Sequence, residues 1–191
     1  MNDLIDLNEL LNLEGLEQLS HQEKMQIFQQ KAEILGFHPQ QIDIAPTRQK
    51  NEHIDGLIFK KEKHETVMGV YFFYLSRHTL NKAHWQNFKY PLDQKALKVS
   101  PWNKDDQAEE NDILYIGQRH EDLLSRLRDH TVKSNEQTQS LKLYAEECPL
   151  FEYRMTVFYQ IASKKHKMRN KILCFMLEAI AKKLFPTKMG K

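Results

Sequence analysis

Apolar positions change their period several times along this chain, and each change predicts a different element. Leucines and one isoleucine crowd residues 1–19 at mixed helical spacing. Ser20-His21-Gln22-Glu23 then reads as a capping box, in which the serine oxygen takes an amide proton from the first turn and the glutamate takes the serine's own. It opens a helix that ends at Gly36, so the N-terminal third is expected to be helical. Pro39, Pro46 and the polar run Thr47-Arg48-Gln49-Lys50-Asn51-Glu52 break that pattern before Leu57-Ile58-Phe59, a short strand candidate. Val67 to Leu75 is continuously apolar apart from one glycine and rich in β-branched and aromatic residues, the composition of a strand buried on both faces. Ile113 to Gly117 is its expected partner.

Between these strands lies a segment with Trp85, Pro91, Pro101, Trp102 and the acidic stretch Asp105 to Asp112. It is too long for a tight hairpin and too aromatic for a plain linker, and is expected to be an inserted, partly ordered loop. A helix over 120–133 follows, then a polar loop and a short helix around Ser140 to Glu147. From Phe151 to Ile161 apolar Tyr153, Met155, Val157 and Tyr159 alternate with Glu152, Arg154 and Thr156, and period two predicts a third strand. A last helix is expected from about Met168 to Leu184. The pattern predicts an α/β (α+β) fold: a small three-stranded sheet flanked by helices. Residues 1–60 form a helical N-terminal extension and residues 61–191 a core carrying an insertion at about 76–112.

Length and charge change this picture little, since 191 residues suffice for one domain with a core and a net charge of +2 does not announce a polyanion partner. Local clustering says more. Lys164, Lys165, Lys167, Arg169 and Lys171 crowd together, with Lys182, Lys183, Lys188 and Lys191 beyond, which suits either a phosphate-facing end of the molecule or a solvated basic helix start with a charged tail. Cys148 and Cys174 are far apart and lack the spacing of a zinc or redox pair, so both are expected as buried thiols. Asp3 and Asp6 stand where a signal peptide would carry basic residues, and no apolar run approaches the roughly 20 residues that span a bilayer. A reducing, cytoplasmic setting without membrane contact is the expectation.

Two tripeptides bring in chemistry: Gly69-Val70-Tyr71 in the first strand and Tyr115-Ile116-Gly117 closing the second. Each sets a phenol near a glycine, where a backbone or a phosphate can approach without meeting a side chain. The second leads through Gln118-Arg119-His120 into a helix bearing Arg126 and, one turn on, His130. Here the chain resembles the GIY-YIG nuclease family, whose pattern is a strand with Gly-Ile/Val-Tyr, a strand with Tyr-Ile/Val-Gly, a helix with an arginine, and a later helix with one metal-binding glutamate. Glu178, in Met176-Leu177-Glu178-Ala179-Ile180, fits that last element, and the resemblance covers roughly residues 67 to 191. Two features depart from the pattern. The motif tyrosines stand 44 positions apart, farther than is usual in the family, and the asparagine expected near the C-terminus is replaced by Thr187-Lys188-Met189-Gly190-Lys191.

The resemblance implies divalent-metal-dependent hydrolysis of a nucleic-acid phosphodiester, DNA rather than RNA, with catalytic residues Tyr71, Tyr115, Arg126, His130 and Glu178 and no organic cofactor. Glu178 would be the ligand of Mg²⁺ or Mn²⁺, since a hard cation that keeps several waters can take one protein carboxylate and fill its octahedron with substrate phosphate oxygens. The small residues Cys174 and Ala181 near it would leave room for an ion. Arg126 would clamp phosphate, because a guanidinium offers several donors in a planar fork. The tyrosine hydroxyls would sit around the scissile phosphate, one of them activating or positioning water, helped by a nearby cation. Plain alternatives stand beside each: Glu178 paired with Lys182, Arg126 bridged to Asp122, His130 as a partly buried polar residue or a helix C-terminal cation, and both tyrosines as core aromatics. His78, His84 and His120 form no metal spacing, and Trp85 with Trp102 suits a private mini-core under the loop better than base stacking. The competing function is a catalytically inactive nucleic-acid-binding or protein-interaction module of the same fold, and a homodimer is open under either.

Overall fold

The computed structural model describes residues 10, 12, 14–44, 59–75, 82–95, 98, 100–102, 113–131, 139–143 and 153–189. Helix α1 (His21–Ile34) begins at the expected capping box: the Ser20 amide donates to Glu23 Oε2 at 2.8 Å and the Glu23 amide to Ser20 Oγ at 3.3 Å. It ends at Leu35 and Gly36, whose φ of 82° is the left-handed conformation that turns the chain out of the helix. Strand β1 (His38–Ile44) follows at once. Then come β2 (Glu65–Leu75), α2 (Lys82–Gln94), β3 (Ile113–Arg119), α3 (Leu123–Thr131), β4 (Tyr153–Ser163) and α4 (Lys167–Leu184), with single 3₁₀ turns at Leu16–Gln18 and Lys164–His166.

The sheet is antiparallel and four-stranded, in the order β1-β4-β2-β3, which corrects the expected three strands. Its extra strand comes from the segment expected to be a helical extension. Pro39 cannot donate to a ladder, but β1 is an edge strand, where a missing donor can face outward. The insertion differs too: α2 is a helix, with Pro91 inside it, where a loop was expected. Trp85, Phe88 and Leu92 recur at helical spacing and are buried, and this burial outweighs the helix-breaking tendency of the proline. Residues 140–143 are not helical either; the rest of the short helix expected there, Leu57-Ile58 of the early strand candidate, Cys148 and His78 lie outside the described residues.

Strand β2 organises the core because its side chains alternate between two apolar layers. Val67, Tyr71 and Phe73 face one side with α2 and α3, while Met68, Val70 and Phe72 face the other with α1 and α4. Gly69 is required by packing, since a Cβ there would lie 2.4 Å from the Phe158 carbonyl oxygen. On the α1 side Phe28 meets Phe72, Phe158 and Phe185 in edge-to-face contacts. Trp85 belongs to the main core on the opposite side, with its indole N–H donating to the Ser100 carbonyl at 3.0 Å, rather than to a private cluster or a base-stacking surface. Among the described residues no helix is long and apolar enough to cross a membrane.

Candidate active site

The register of β2 against β3 sets Tyr71 opposite Gly117, with Tyr115 on the same face two residues before it. Gly117 is what lets the two phenols lie there. A Cβ at that position would stand 2.6 Å from the Tyr71 hydroxyl oxygen and 2.6 Å from Tyr115 Cε1, so the glycine of the second tripeptide makes room for the tyrosine of the first.

Helix α3 leaves β3 through Asp122, a left-handed residue (φ 49°) whose amide donates to Thr66 Oγ1 on β2 at 3.0 Å. Leu123 and Leu127 pack into the core, and the same helix turns Arg126 and His130 towards the tyrosines. Arg126 Nε donates to the Tyr71 hydroxyl at 3.1 Å, its Nη2 donates to the Gln139 carbonyl at 3.0 Å, and it also hydrogen-bonds the Tyr115 hydroxyl. It makes no bridge to Asp122. His130 Nε2 lies 3.0 Å from the Tyr71 hydroxyl oxygen, and its Nδ1 accepts from the Leu141 amide at 3.1 Å. A ring nitrogen that accepts an amide proton carries none of its own, so neutral His130 bears its proton on Nε2 and donates to Tyr71. The Tyr71 oxygen thus takes two N–H donors.

Burial, and then the neighbouring Tyr115, push the Tyr71 pKa up, against the opposing pull of Arg126. Burial first, with Arg126 and Lys142 adding to it, holds His130 well below the usual histidine range and therefore neutral, so it is not a helix-end cation. For Arg126 burial works to lower the pKa, but the two phenols outweigh it and the guanidinium stays charged. Tyr71 and His130 are closed off from solvent, whereas Tyr115, Arg126 and Glu178 are half-buried and keep an accessible edge.

Glu178 stands on α4, close enough to Tyr71 to oppose its ionisation. Its Oε1 pairs with Lys182 Nζ at 3.1 Å, and the side chain is 16% exposed. Cys174 and Ala181, its small neighbours on the helix, are buried in the core layer. Burial drives the Cys174 thiol up to about 12, which keeps it an inert thiol. Among the described residues no group of three or more His, Cys, Asp or Glu could hold a metal ion. No closed protein cage is formed among the described residues, and Glu178, its Oε1 engaged by Lys182, could serve a hard cation only with water and substrate phosphate oxygens completing the shell.

All five residues singled out in the sequence thus lie in one neighbourhood drawn from four elements. The basic residues divide: Lys164, Lys165, Lys167, Arg169 and Lys171 are exposed around the start of α4, with Lys167 paired to Glu121 at 3.1 Å just before α3. Lys188 is buried instead, its amide donating to the Ile113 carbonyl at 3.1 Å, while the Met189 amide donates to Leu114 at 2.9 Å. The tail as far as Met189 is thereby docked along β3 beside Tyr115, while Gly190 and Lys191 lie outside the described residues. Sequence reasoning missed Gln139, Leu141 and Lys142, two of which act through the backbone, where residue type gives no signal. No family model, curated protein or solved structure matches the chain.

Proposed function

We propose that this protein is a divalent-metal-dependent endonuclease that hydrolyses nucleic-acid phosphodiester bonds, DNA in preference to RNA, with a site of GIY-YIG type. The observation that carries the reading is the convergence of Tyr71, Tyr115, Arg126, His130 and Glu178, with Arg126 bonded to both phenols. A core needs buried tyrosines but has no need of a charged guanidinium between them.

Phosphodiester hydrolysis needs stabilisation of charge on the attacked phosphate, a placed water and help for the leaving oxygen. Arg126, half-exposed and fixed by Tyr71 and Gln139, is pre-aimed to donate to phosphate oxygens at no further ordering cost. Tyr115, the accessible phenol, orients the attacking water, while Tyr71 with its raised pKa stays protonated and holds Arg126 in place. Glu178 would hold Mg²⁺ or Mn²⁺, which supplies Lewis-acid polarisation of the phosphate when bound. The exposed lysines at the start of α4 offer the flanking backbone a salt-sensitive grip.

Incubation of the purified protein with plasmid, single-stranded DNA and RNA, in Mg²⁺, Mn²⁺ or chelator, tests the reading. Cleavage that requires the cation and disappears in Glu178→Ala, with the fold retained by circular dichroism, is expected; an equally fast Glu178→Ala enzyme removes the metal site. The binding-only module is the competing reading, favoured by the Lys182 ion pair on Glu178 and by the missing asparagine. Salt-sensitive binding with no cleavage in any metal would decide for it.

A further inference from the structure

The five residues Gln139–Leu143 run beside the C-terminal half of α3, and four of their polar groups bond to it. The Gln139 carbonyl takes Arg126 Nη2 at 3.0 Å, Ser140 Oγ donates to the Asp129 carbonyl at 2.8 Å, and the Leu141 amide donates to His130 Nδ1 at 3.1 Å. The Leu143 amide then caps the His130 carbonyl at 2.7 Å. Between those last two stands Lys142, with a left-handed backbone (φ 52°) and no solvent exposure. A lysine is seldom fully buried, and a side chain with a Cβ is seldom left-handed, so the fold holds this residue against two preferences. Burial, with Arg126 adding to it, lowers the Lys142 pKa, and the carboxylate of Asp129, a residue only 8% exposed, opposes that shift and favours the charged form. Ser140 is tied in turn to the segment beneath α2, exchanging backbone bonds with Lys98 and Ser100 at 3.2 and 2.9 Å.

We infer that Gln139–Leu143 is the positioning element of the site, and that Lys142, set against Asp129, locks it so that His130 keeps its proton on Nε2 and donates, with Arg126, to Tyr71. The consequence for chemistry is definite. His130 does not serve as the proton acceptor of Tyr71, because one ring nitrogen already carries a proton and the other is occupied by the Leu141 amide. Lys142 adds to this by placing a cation where it opposes imidazolium formation. Lys142 and the Leu141 amide are positioning groups; neither touches substrate.

For its effect on rate the inference rests on the nuclease reading, but its geometry is tested without any cleavage. In ¹⁵N-labelled full-length protein, His130 should show an unprotonated Nδ1 and a protonated Nε2, and a scalar coupling should connect the Leu141 amide nitrogen to Nδ1. Lys142→Met should weaken that coupling and populate the other tautomer or the imidazolium, with Lys142→Arg restoring part of the parent signature. In single-turnover cleavage Lys142→Met should fall about tenfold in rate at saturating DNA, with half-saturation little changed. A parent protein with its proton on Nδ1 overturns the inference, whether or not Lys142→Met folds. So does a Lys142→Met variant that keeps both the signature and the rate. If the coupling and its loss are observed while no protein cuts DNA or RNA, the positioning element stands and the nuclease reading falls.

Discussion

At the scale of single residues, Tyr71 and Tyr115 part company although the sequence presents them as a matched pair. The Tyr71 hydroxyl is the acceptor for Arg126 Nε, in a part-buried bond, and for His130 Nε2, in a buried one. Tyr71→Phe strands those two donors, and an unsatisfied buried donor costs about 1–3 kcal/mol, so this variant should melt clearly below the parent. Tyr115→Phe removes a hydroxyl from a half-buried ring and should lose no more than about 1 kcal/mol, while losing cleavage by about a hundredfold. Melts and single-turnover rates of the two variants check this, and equal destabilisation would show that the Tyr71 oxygen is not the hub. From sequence both substitutions look equally mild, because a hydroxyl's partners across the sheet leave no mark on its own strand. Arg126 is a second case. Lysine keeps its charge but cannot hold Tyr71, Tyr115 and the Gln139 carbonyl together, so Arg126→Lys should slow cleavage at least about tenfold, some 1.4 kcal/mol of transition-state stabilisation. An unchanged rate would take Arg126 out of the site.

At the scale of elements, what was legible is what periodicity encodes. β2, β3, β4 and α4 were expected within a few residues of where they lie, since continuous or alternating apolar runs have one economical arrangement. β1 was not, because His38-Pro39-Gln40-Gln41 is polar and proline-bearing and pairs only through its backbone at an edge. α2 was hidden by Pro91, whose helix is held from outside by Trp85, Phe88 and Leu92. Helix α1 was read correctly from its capping box, but its place was not: Phe28 makes it part of the core and not an appendage. Phe28→Ala should therefore cost about 3–5 kcal/mol, the range for deleting a buried aromatic. Urea unfolding of the variant measures it, and a loss below about 1 kcal/mol would return α1 to the status of an extension.

At the scale of the whole molecule, two helical layers enclose the sheet, and the tyrosine network lies inside one of them, so site and stability share residues. His130 is the clearest link. It is buried and neutral, with a folded pKa well below the ordinary histidine value of 6.5, so below that pH the unfolded chain binds a proton that the folded chain refuses. The sign follows: the contribution is present above about pH 6.5 and is lost as pH falls, by up to about 1.4 kcal/mol per unit until the folded pKa is reached. Glu23, lowered by its bonds to Ser20, acts in the same direction, but only as pH falls below the ordinary glutamate value of 4.5. The interval between 6.5 and 4.5 therefore separates the two. Urea midpoints at pH 7, 6 and 5 should fall more steeply for the parent than for His130→Gln, which cannot ionise but keeps a polar group near Tyr71. Parallel slopes would mean that His130 is protonated in the folded protein at little cost, and the neutral Nε2–H donor on which the geometry of Tyr71 depends would have to be abandoned.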